Sequence, residues 1–328
     1  MKKVINQPED VLNDMLDGLS FAYADIVERV PETDVVVKVD KEDGKVGLVS
    51  GGGSGHEPSH AGFVGRGMLS AAVCGEVFTS PTPDQVLEGI KAADSGKGVF
   101  LVIKNYSGDV MNFEMAKDLA EMEDIPVEMV IVDDDIAVED STYTAGRRGV
   151  AGTILVHKIL GHAAEKGQSL EEIKALADAL VPNIKTLGVA LTGATTPAVG
   201  HPGFVLEEDE IEFGVGIHGE PGYRKEKLQP SKELAKEIVG RLKKEFKWEK
   251  GEHFGIMVNG LGATPLMEQF IFTNDVKEIL ESEGLVIDFK KVGDIMTAID
   301  MAGLSLTMIR LNKEYEEALK ASVNTIAW

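Results

Sequence analysis

Short apolar runs alternate with amphipathic segments along the first half of this 328-residue chain. The runs are rich in β-branched residues and predict four strands, at Asp34–Val39, Lys45–Ser50, Val99–Lys104 and Val127–Asp133. Apolar residues recur at helical spacing in Pro8–Val27 and in Pro83–Ala93, which we therefore expect to be helices. Strands that alternate with helices in this way are typical of βαβ units and of a largely parallel sheet.

A second series of strands begins after residues 181–183. Helical patterns dominate from Arg148 to Leu180, with a break at residues 167–169 where Ser169 and Glu172 form a capping-box pattern. Beyond residue 183 the pattern predicts two helices, at Lys232–Phe246 and Pro265–Ser282, and five strands, at Leu187–Leu191, Ile211–Ile217, Gly255–Asn259, Leu285–Lys291 and Ser305–Leu311.

The two series predict an α/β protein of two α/β domains, each with a central mostly parallel or mixed sheet flanked by helices. A chain of 328 residues is long for one core, because single hydrophobic cores stop growing near about 250–300 residues. We place the boundary near residue 183, with residues 1–183 in the N-terminal domain and residues 184–328 in the C-terminal domain. The stretch Gly219–Pro230 has two prolines and mixed charge, which is typical of a loop.

The charge balance restricts the class of partner. Fifty-five acidic residues against thirty-three basic ones give a net charge of −22, which repels nucleic acid and anionic membrane surfaces. We therefore expect a neutral small substrate, no nucleic-acid partner and no membrane partner. Cys74 is the only cysteine and the N-terminal segment lacks the apolar run of a signal peptide, so the sequence predicts a cytoplasmic protein in a reducing compartment.

The segment GGGSGHEPSH, residues 51–60, combines two motifs. His56 and His60 match the zinc-peptidase pattern H-E-x-x-H, but that pattern needs a continuous helix, which Pro58 would break. The glycines instead predict a loop after the strand that ends at Ser50, followed by a helix that begins near Pro58, with backbone N–H groups close to a small ligand. Since no Walker motif follows, we expect no nucleotide here. Because Pro58 rules out the zinc helix, we also expect no metal, and we interpret His60 as a bystander.

The stretch IKNYSGDV, residues 103–110, places Lys104 and Asp109 at the carboxyl end of an apolar strand. Open α/β sheets bind ligands at such strand ends. A helical pattern follows Asp109, however, so this residue by itself is also typical of a helix N-cap. Lys104 by itself is typical of a surface charge at the end of a strand.

The stretch IEFGVGIHGEPG, residues 211–222, places a histidine beside glycines. Alternation along a strand puts His218 on the same face as Gly214 and Gly216, which leave space beside the imidazole. A lone histidine is equally typical of a hydrogen-bonded structural residue. The pattern by itself therefore leaves both interpretations open.

Other polar groups are expected to be structural. We interpret Asp133, Asp134 and Asp135 as a solvated strand end rather than a Mg²⁺ site. The stretch NGLGATP, Asn259–Pro265, is interpreted as a packing junction between a strand and a helix. No role is assigned to the remaining histidines, His157, His162, His201 and His253.

Together, these motifs closely resemble the dihydroxyacetone kinase family, and within it the substrate-binding K subunits. The resemblance covers essentially the whole chain, in order, and rests on the strings GGGSGHEP, FTSPTPD, IKNYSGD, TAGRRG, FGVGIHGEPG and NGLGATP. It implies a two-domain α/β protein, usually a homodimer, that binds dihydroxyacetone. It also implies a phosphotransferase with an alcohol group as acceptor.

The resemblance carries a role for several residues. It implies that His218 attacks the ketone through a ring nitrogen and forms a hemiaminal. It implies that His56 and Asp109 handle protons at the hydroxyl that receives the phosphoryl group, without ranking them as the base. Further hydrogen-bonding contacts to the substrate are implied for Gly53, Ser54, Gly55 and Lys104.

The resemblance also implies where the phosphoryl donor is. Relatives that use ATP within one chain carry an additional helical nucleotide domain, for which this sequence has no counterpart. We therefore expect no cofactor and no metal on this chain, and ADP or ATP with Mg²⁺ on a partner, the nucleotide-binding subunit L. Subunit L would be recharged by the phosphotransferase donor subunit M, in a phosphoenolpyruvate-dependent pathway. The alternative is a paralogue that captures dihydroxyacetone as a co-activator of a transcription regulator, without kinase activity.

Overall fold

The computed structural model describes residues 2–41, 43–139 and 144–328. In this part of the chain the helices are α1 (Val11–Ala22), α2 (Pro83–Ala93), α3 (Ser107–Met122), α4 (Thr153–Glu165), α5 (Leu170–Leu180), α6 (Ser231–Phe246), α7 (Leu266–Ser282) and α8 (Lys313–Lys320). Single turns of 3₁₀ helix lie at Pro8–Asp10, Ala61–Phe63 and Val181–Asn183.

The strands are β1 (Val27–Arg29), β2 (Val35–Lys38), β3 (Gly47–Ser54), β4 (Gly65–Arg66), β5 (Ala71–Val77), β6 (Val99–Lys104), β7 (Val127–Val132), β8 (Ile184–Ala190), β9 (Glu210–Phe213), β10 (Arg224–Lys227), β11 (His253–Gly260), β12 (Val286–Asp294), β13 (Gly303–Arg310) and β14 (Asn324–Thr325). They form two six-stranded sheets and one two-stranded ribbon of β4 and β14.

The first sheet has the strand order β1-β2-β5-β3-β6-β7. Its last four strands are parallel, whereas β1 and β2 are antiparallel to their neighbours. Successive side chains point to opposite faces, so Val49 and Leu101 pack with α2 and α3, whereas Leu48 and Phe100 pack with α1, α4 and α5. The sheet is therefore covered by helices on both faces, and the carboxyl ends of β3 and β6 meet at one edge.

The second sheet has the strand order β10-β9-β8-β13-β11-β12. Only β11 and β12 are parallel, and the other neighbours are antiparallel. One face packs against α6 and α7 through residues such as Val258, Ile238 and Phe272. The predicted fold class, with mixed sheets and flanking helices, is confirmed, although this second sheet is mostly antiparallel.

The largest hydrophobic core joins the two sheets. It includes Phe100 from the first sheet, Met257 and Ile309 from the second, and Ile154 from α4 between them. The proposed boundary near residue 183 falls between the strands of the two sheets, and the division into residues 1–183 and 184–328 stays a prediction.

The backbone of residues 47–63 differs from the sequence-based expectation. Strand β3 continues to Ser54, so the glycines at 51–53 lie within a buried strand and not in a loop. No helix begins at Pro58. Residues 56–60 form turns that lead into the 3₁₀ turn at Ala61–Phe63. The helix that H-E-x-x-H would require is therefore absent from this described segment.

Two further expectations need correction. The strand predicted for Ile211–Ile217 ends at Phe213, because a left-handed Gly214 turns the chain away. The stretch Gly219–Pro230, predicted as a loop, contains the edge strand β10, which pairs with β9. The chain leaves the sheet after Phe213, so His218 lies on the turn that follows β9.

Among the described residues no helix combines the length and apolarity needed to cross a bilayer.

Candidate active site

A cavity of about 640 Å³ lies where the carboxyl end of β3, the start of α3 and the turn that follows β9 meet. Gly53, Asp109 and His218 line it, so three residues singled out from the sequence face one space. The other lining residues are Phe78, Thr79, Ser80, Tyr106, Ser107, Gly108 and Asn112. The cavity thus joins elements from both sheets.

His218 lies on a tight turn between β9 and β10. The turn is closed by two backbone hydrogen bonds, from Gly216 to Glu220 and from Gly219 to Gly216. The imidazole Nδ1 lies 3.2 Å from Oε1 of Glu220, and the backbone N–H of His218 donates to Oε2 at 3.0 Å. Since a carboxylate only accepts, Nδ1 carries the proton and Nε2 points away from Glu220.

Glu220 is a buried carboxylate that the sequence interpretation did not single out. A Cβ on Gly216 would lie 2.0 Å from its Oε2, so only glycine allows this approach. Burial opposes ionisation of Glu220, but the hydrogen bond and charge of His218, together with Arg148, outweigh burial and hold the pKa of Glu220 below its ordinary value. The site therefore places an anion behind the His218 ring.

Three rings surround the imidazole of His218. Tyr106, His56 and Phe78 each meet it edge to face, with ring centroids 4.7, 4.8 and 5.2 Å away. His56 and Phe78 also stack on one another at 5.1 Å. Tyr106 is buried, which raises the pKa of its phenol well above the ordinary value. The rings fix the orientation of His218 while its side chain stays 17% exposed to the cavity.

His56 is completely buried behind His218. Its Nδ1 donates to the backbone carbonyl of Thr297 at 2.7 Å, and its Nε2 lies 3.0 Å from Nε2 of His218. Thr297 also donates its backbone N–H to the His56 carbonyl and its hydroxyl to the Glu57 carbonyl. The segment between β12 and β13 therefore holds the turn that carries His56.

The two imidazoles face each other through their Nε2 atoms. Both Nδ1 atoms are donors, so each neutral ring would present a lone pair at Nε2, and the 3.0 Å contact is a hydrogen bond only when a further proton lies between them. Burial, followed by the charges of His218 and Lys104, lowers the pKa of His56 well below its ordinary value. Burial therefore disfavours a further proton on Nε2 of His56.

Asp109 is the third residue of α3, and Tyr106 occupies the N-cap position. The interpretation of Asp109 as a helix cap is therefore wrong. Its Oδ1 accepts a hydrogen bond from the Ser80 hydroxyl at 2.5 Å, and its Oδ2 lies 3.4 Å from Nζ of Lys104. The carboxylate faces the cavity as a buried, partnered anion.

Lys104 is only 1% exposed, so it is not the surface charge that the strand end suggested. Besides Asp109, its ammonium contacts the Gly51 carbonyl at 3.1 Å and Nε2 of His60 at 3.2 Å. A Cβ on Gly52 would lie 2.3 Å from Nζ, so the glycine makes room for the ammonium. All three N–H groups of Lys104 thus have protein acceptors.

The residues that follow Gly53 lie beside the cavity. Ser54 donates its hydroxyl to the Gly75 carbonyl at 2.7 Å, and Gly55 donates its backbone N–H to the Glu57 carboxylate at 3.1 Å. Neither is among the cavity-lining residues. Both position the end of β3, and through it His56.

One expectation about polar residues outside the cavity was wrong, because Asp134 and Asp135 are buried and do not form a solvated strand end. His60 and His157 are buried and share a hydrogen bond at 2.9 Å. Asp134 and Asp135 are buried as well: Asp134 accepts from Val150 N and Thr186, and Asp135 pairs with Arg148. Asn259 binds the backbone at Ile295 and Met296, so the junction after β11 is a packing element, as predicted. No cluster of three metal-ligand side chains occurs within residues 2–41, 43–139 and 144–328.

Comparison with known proteins identifies the family. The model of the Dak1 domain matches residues 17–327. The chain is 65% identical over 328 residues to the dihydroxyacetone-binding subunit DhaK of the PTS-dependent dihydroxyacetone kinase of Lactococcus lactis subsp. lactis. The alignment covers 100% of this chain and 99% of that protein.

Two solved structures are also similar. The dihydroxyacetone kinase operon co-activator Dha-DhaQ superposes with a TM-score of 0.92 at 43% identity, over 98% of this chain and 99% of the other. The dihydroxyacetone kinase of C. freundii superposes with a TM-score of 0.89 at 37% identity, over 100% of this chain and 60% of the other. With its Dak1 domain and its full-length match to a DhaK subunit, the chain belongs to the dihydroxyacetone kinase family.

Proposed function

We propose that this chain is the dihydroxyacetone-binding subunit of a phosphoenolpyruvate-dependent dihydroxyacetone kinase. The observation that carries the proposal is the shared cavity of His218 and Asp109, with a buried carboxylate behind the histidine. A ring nitrogen and a carboxylate facing one space suit a small molecule with a carbonyl and a hydroxyl. The 65% identity to a dihydroxyacetone-binding subunit supports that choice of ligand.

We propose that the capture step uses a proton held between Nε2 of His56 and Nε2 of His218. This proton passes to Nε2 of His56, and the freed lone pair on Nε2 of His218 attacks the ketone carbon. His56 then gives the proton to the carbonyl oxygen, which becomes the hemiaminal hydroxyl. The new C–N bond leaves a positive charge on the His218 ring, which the Glu220 carboxylate balances. No proton is gained or lost from solvent.

The transfer step needs a base at the terminal hydroxyl of the captured ketose. We assign this role to Asp109, because His56 is engaged at the attachment point and is completely buried. The hydroxyl oxygen attacks the γ-phosphorus of ATP, the bond to the ADP oxygen breaks, and the hydroxyl proton goes to Asp109. The donor, ATP with Mg²⁺, is held by partner subunit L, and the ADP that remains there is rephosphorylated through subunit M, in the cytoplasm.

A covalent bond also explains selectivity for a ketose. A triose has roughly six heavy atoms and gains a modest total from non-covalent contacts, at most about 1.5 kcal/mol per atom. Attachment to His218 requires an electrophilic carbon, so glycerol is excluded although it has the same hydroxyl groups.

The decisive experiment combines the purified chain with subunits L and M, the general phosphotransferase proteins and phosphoenolpyruvate. We expect dihydroxyacetone phosphate to form from dihydroxyacetone and no phosphate ester to form from glycerol. An active K subunit in a parallel reaction is the control. Absence of product in the presence of that control would contradict the proposed function.

The second candidate function is co-activation of a transcription regulator. It is supported by the likeness to the co-activator Dha-DhaQ, with a TM-score of 0.92 and 43% identity. The higher identity to the kinase subunit and the cavity position of Asp109 favour the kinase. Capture of subunit L by the immobilised chain is expected. Retention of a regulator and not of subunit L would favour the co-activator.

We also propose that the protein is a homodimer. Leu266, Met267, Phe270 and Ile271 of α7 are each more than half exposed. They lie on α7 near β12, which is the last strand of the second sheet and pairs with β11. Burial of this apolar patch against a second copy would remove it from water. Sedimentation equilibrium is expected to give a dimer, and a Phe270→Glu variant is expected to weaken it.

A further inference from the structure

Lys104 lies at the centre of a buried cluster that includes two histidines outside the proposed reaction. Its ammonium has three protons and three acceptors: the Gly51 carbonyl, Asp109 and Nε2 of His60. Because an ammonium only donates, Nε2 of His60 carries a lone pair. The position of the proton on the His60 ring is thereby fixed at Nδ1.

The same reasoning extends to His157 on α4. Nδ1 of His60 donates to Nε2 of His157 at 2.9 Å, so His157 in turn carries its proton on Nδ1. That nitrogen is buried and has no partner among the described residues. Burial and the Lys104 charge lower the pKa of both rings, to about 3 for His157. Both rings are therefore neutral and each has one defined tautomer.

The ion pair between Lys104 and Asp109 is long. At 3.4 Å, the Nζ to Oδ2 distance exceeds the roughly 2.7–2.9 Å usual for a charge-assisted hydrogen bond. The ammonium is held back because it also donates to His60 and to the Gly51 carbonyl. His56 and Tyr106 also lie within electrostatic range of the pair.

We propose that His60, held in place by His157, is a positioning residue that keeps Lys104 at a distance from Asp109. Without the His60 acceptor, Lys104 would move toward the one anion in its reach and form a tighter ion pair. A tighter pair stabilises the ionised carboxylate and makes Asp109 a weaker base. The proposal rests on the proposed function of Asp109 as the base in phosphoryl transfer.

The experiment compares two substitutions at His60. His60→Gln keeps both hydrogen bonds, because the amide oxygen accepts from Lys104 and the amide N–H donates to His157. His60→Leu fills similar volume but keeps neither bond. We expect His60→Leu to lower kcat roughly tenfold, to move the acidic limb of the kcat profile to lower pH, and to change KM less than about twofold. His60→Gln is expected to stay within about threefold of the wild type.

A second readout does not depend on turnover. In the isolated protein, ¹³C NMR of the Asp109 carboxyl reports the pH at which it titrates. We expect this midpoint to move downward in His60→Leu and to remain unchanged in His60→Gln. If the chain lacks kinase activity altogether, the proposed function fails, yet the NMR titration still decides whether His60 acts on Asp109.

Three results would overturn the proposal. The first is an Asp109 titration and a pH profile that are the same in His60→Leu as in the wild type. The second is a loss of kcat in His60→Gln that equals the loss in His60→Leu, and the third is a ¹⁵N spectrum of the wild-type protein with the His60 proton on Nε2. The wild-type spectrum decides the question even if His60→Leu does not fold, since a bare Nε2 throughout the active pH range is the expected result.

Discussion

The molecule contains two imidazole pairs with nearly the same contact distance and different chemistry. His56 and His218 meet at 3.0 Å, and His60 and His157 meet at 2.9 Å. In the first pair both outer nitrogens donate, to the Thr297 carbonyl and the Glu220 carboxylate, so the two facing Nε2 atoms form a hydrogen bond only when a further proton lies between them. In the second pair the Lys104 ammonium donates to Nε2 of His60, so the proton on each ring has one defined position.

The difference shows that the groups at the outer nitrogens decide what a histidine pair can do. With an acceptor at each end, both rings carry a proton on Nδ1, so the two Nε2 atoms face each other and can exchange one further proton. A donor at one end fixes the direction of every hydrogen bond in the series, so neither ring has a further proton to transfer. The two pairs meet at Asp109, which shares the cavity with His218 and contacts Lys104.

The largest expected effect follows from removing the reactive ring of the first pair. His218→Ala is expected to abolish the mass increase of one triose in intact-protein mass spectrometry after incubation with dihydroxyacetone. Turnover is expected to fall by more than about 10³-fold, as for loss of a nucleophile. The exposed His201 provides the matched control, and His201→Ala is expected to keep both properties. Unchanged adduct formation in His218→Ala would place the attachment elsewhere.

Substitution of Asp109 is expected to separate capture from transfer. Asp109→Asn keeps the shape of the side chain and removes its basicity, so the adduct is expected to form while kcat falls by about 10²–10⁴. The control is Asp118→Asn, at an exposed position of the same helix. Mass spectrometry and the coupled kinase assay measure the two steps separately. If Asp109→Asn turns over normally, the base is another group.

The second pair is expected to make the fold sensitive to acid. Burial lowers the pKa of His60 and of His157 below the ordinary value near 6.5, so below that pH the unfolded chain binds protons that the folded chain does not. The free energy of unfolding therefore falls as the pH drops, and His157 alone accounts for about 2 kcal/mol of this loss at about pH 5.

Urea unfolding at about pH 7.5 and pH 5 measures this loss. His157→Gln keeps an acceptor for His60 but cannot titrate, so its acid-dependent loss is expected to be about 2 kcal/mol smaller than that of the wild type. His201→Gln is the exposed control. An identical pH dependence in wild type and His157→Gln would contradict the assignment of a neutral buried ring.

The smallest expected effect concerns the anion behind the first pair. Glu220→Gln is expected to slow adduct formation roughly tenfold, because a hydrogen bond from a charged donor stabilises by about 1.5–3 kcal/mol. The saturating adduct yield is expected to change less than the rate. Stopped time points in mass spectrometry measure both, with Glu208→Gln at an exposed position as control. An unchanged rate would mean that Glu220 only shapes the turn.

Much of the fold could be predicted from the spacing of apolar residues. The helices at 83–93 and 231–246 and the strands at 99–104 and 127–132 lie where the pattern places them. Strand β5 was missed because AAVCGEV lacks β-branched density, although it lies between β2 and β3. The glycines of β3 were taken for a loop, because the pattern does not show that Lys104 and neighbouring backbone occupy the space of the missing side chains.

The site was predicted less completely than the fold. His56, Asp109 and His218 came from motifs, and the structure brings them together. Ser80 and Thr297 were not singled out, because each acts through a contact that joins distant parts of the chain. Glu220, which contacts His218, was not singled out either. His60 was interpreted as a bystander, since its partner His157 is 97 residues away. Glu220 follows His218 by two positions, and that spacing was a usable signal.

The hydrogen bond from His56 to Thr297 makes chemical competence depend on both halves of the chain. A fragment that ended at residue 183 would keep Asp109, Lys104 and both buried histidines of the second pair, yet it would lack His218 and the carbonyl that orients His56. A fragment that began at residue 184 would hold a nucleophile without its proton partner. The proposed adduct would therefore report complete folding of the chain, because its formation requires residues from both halves.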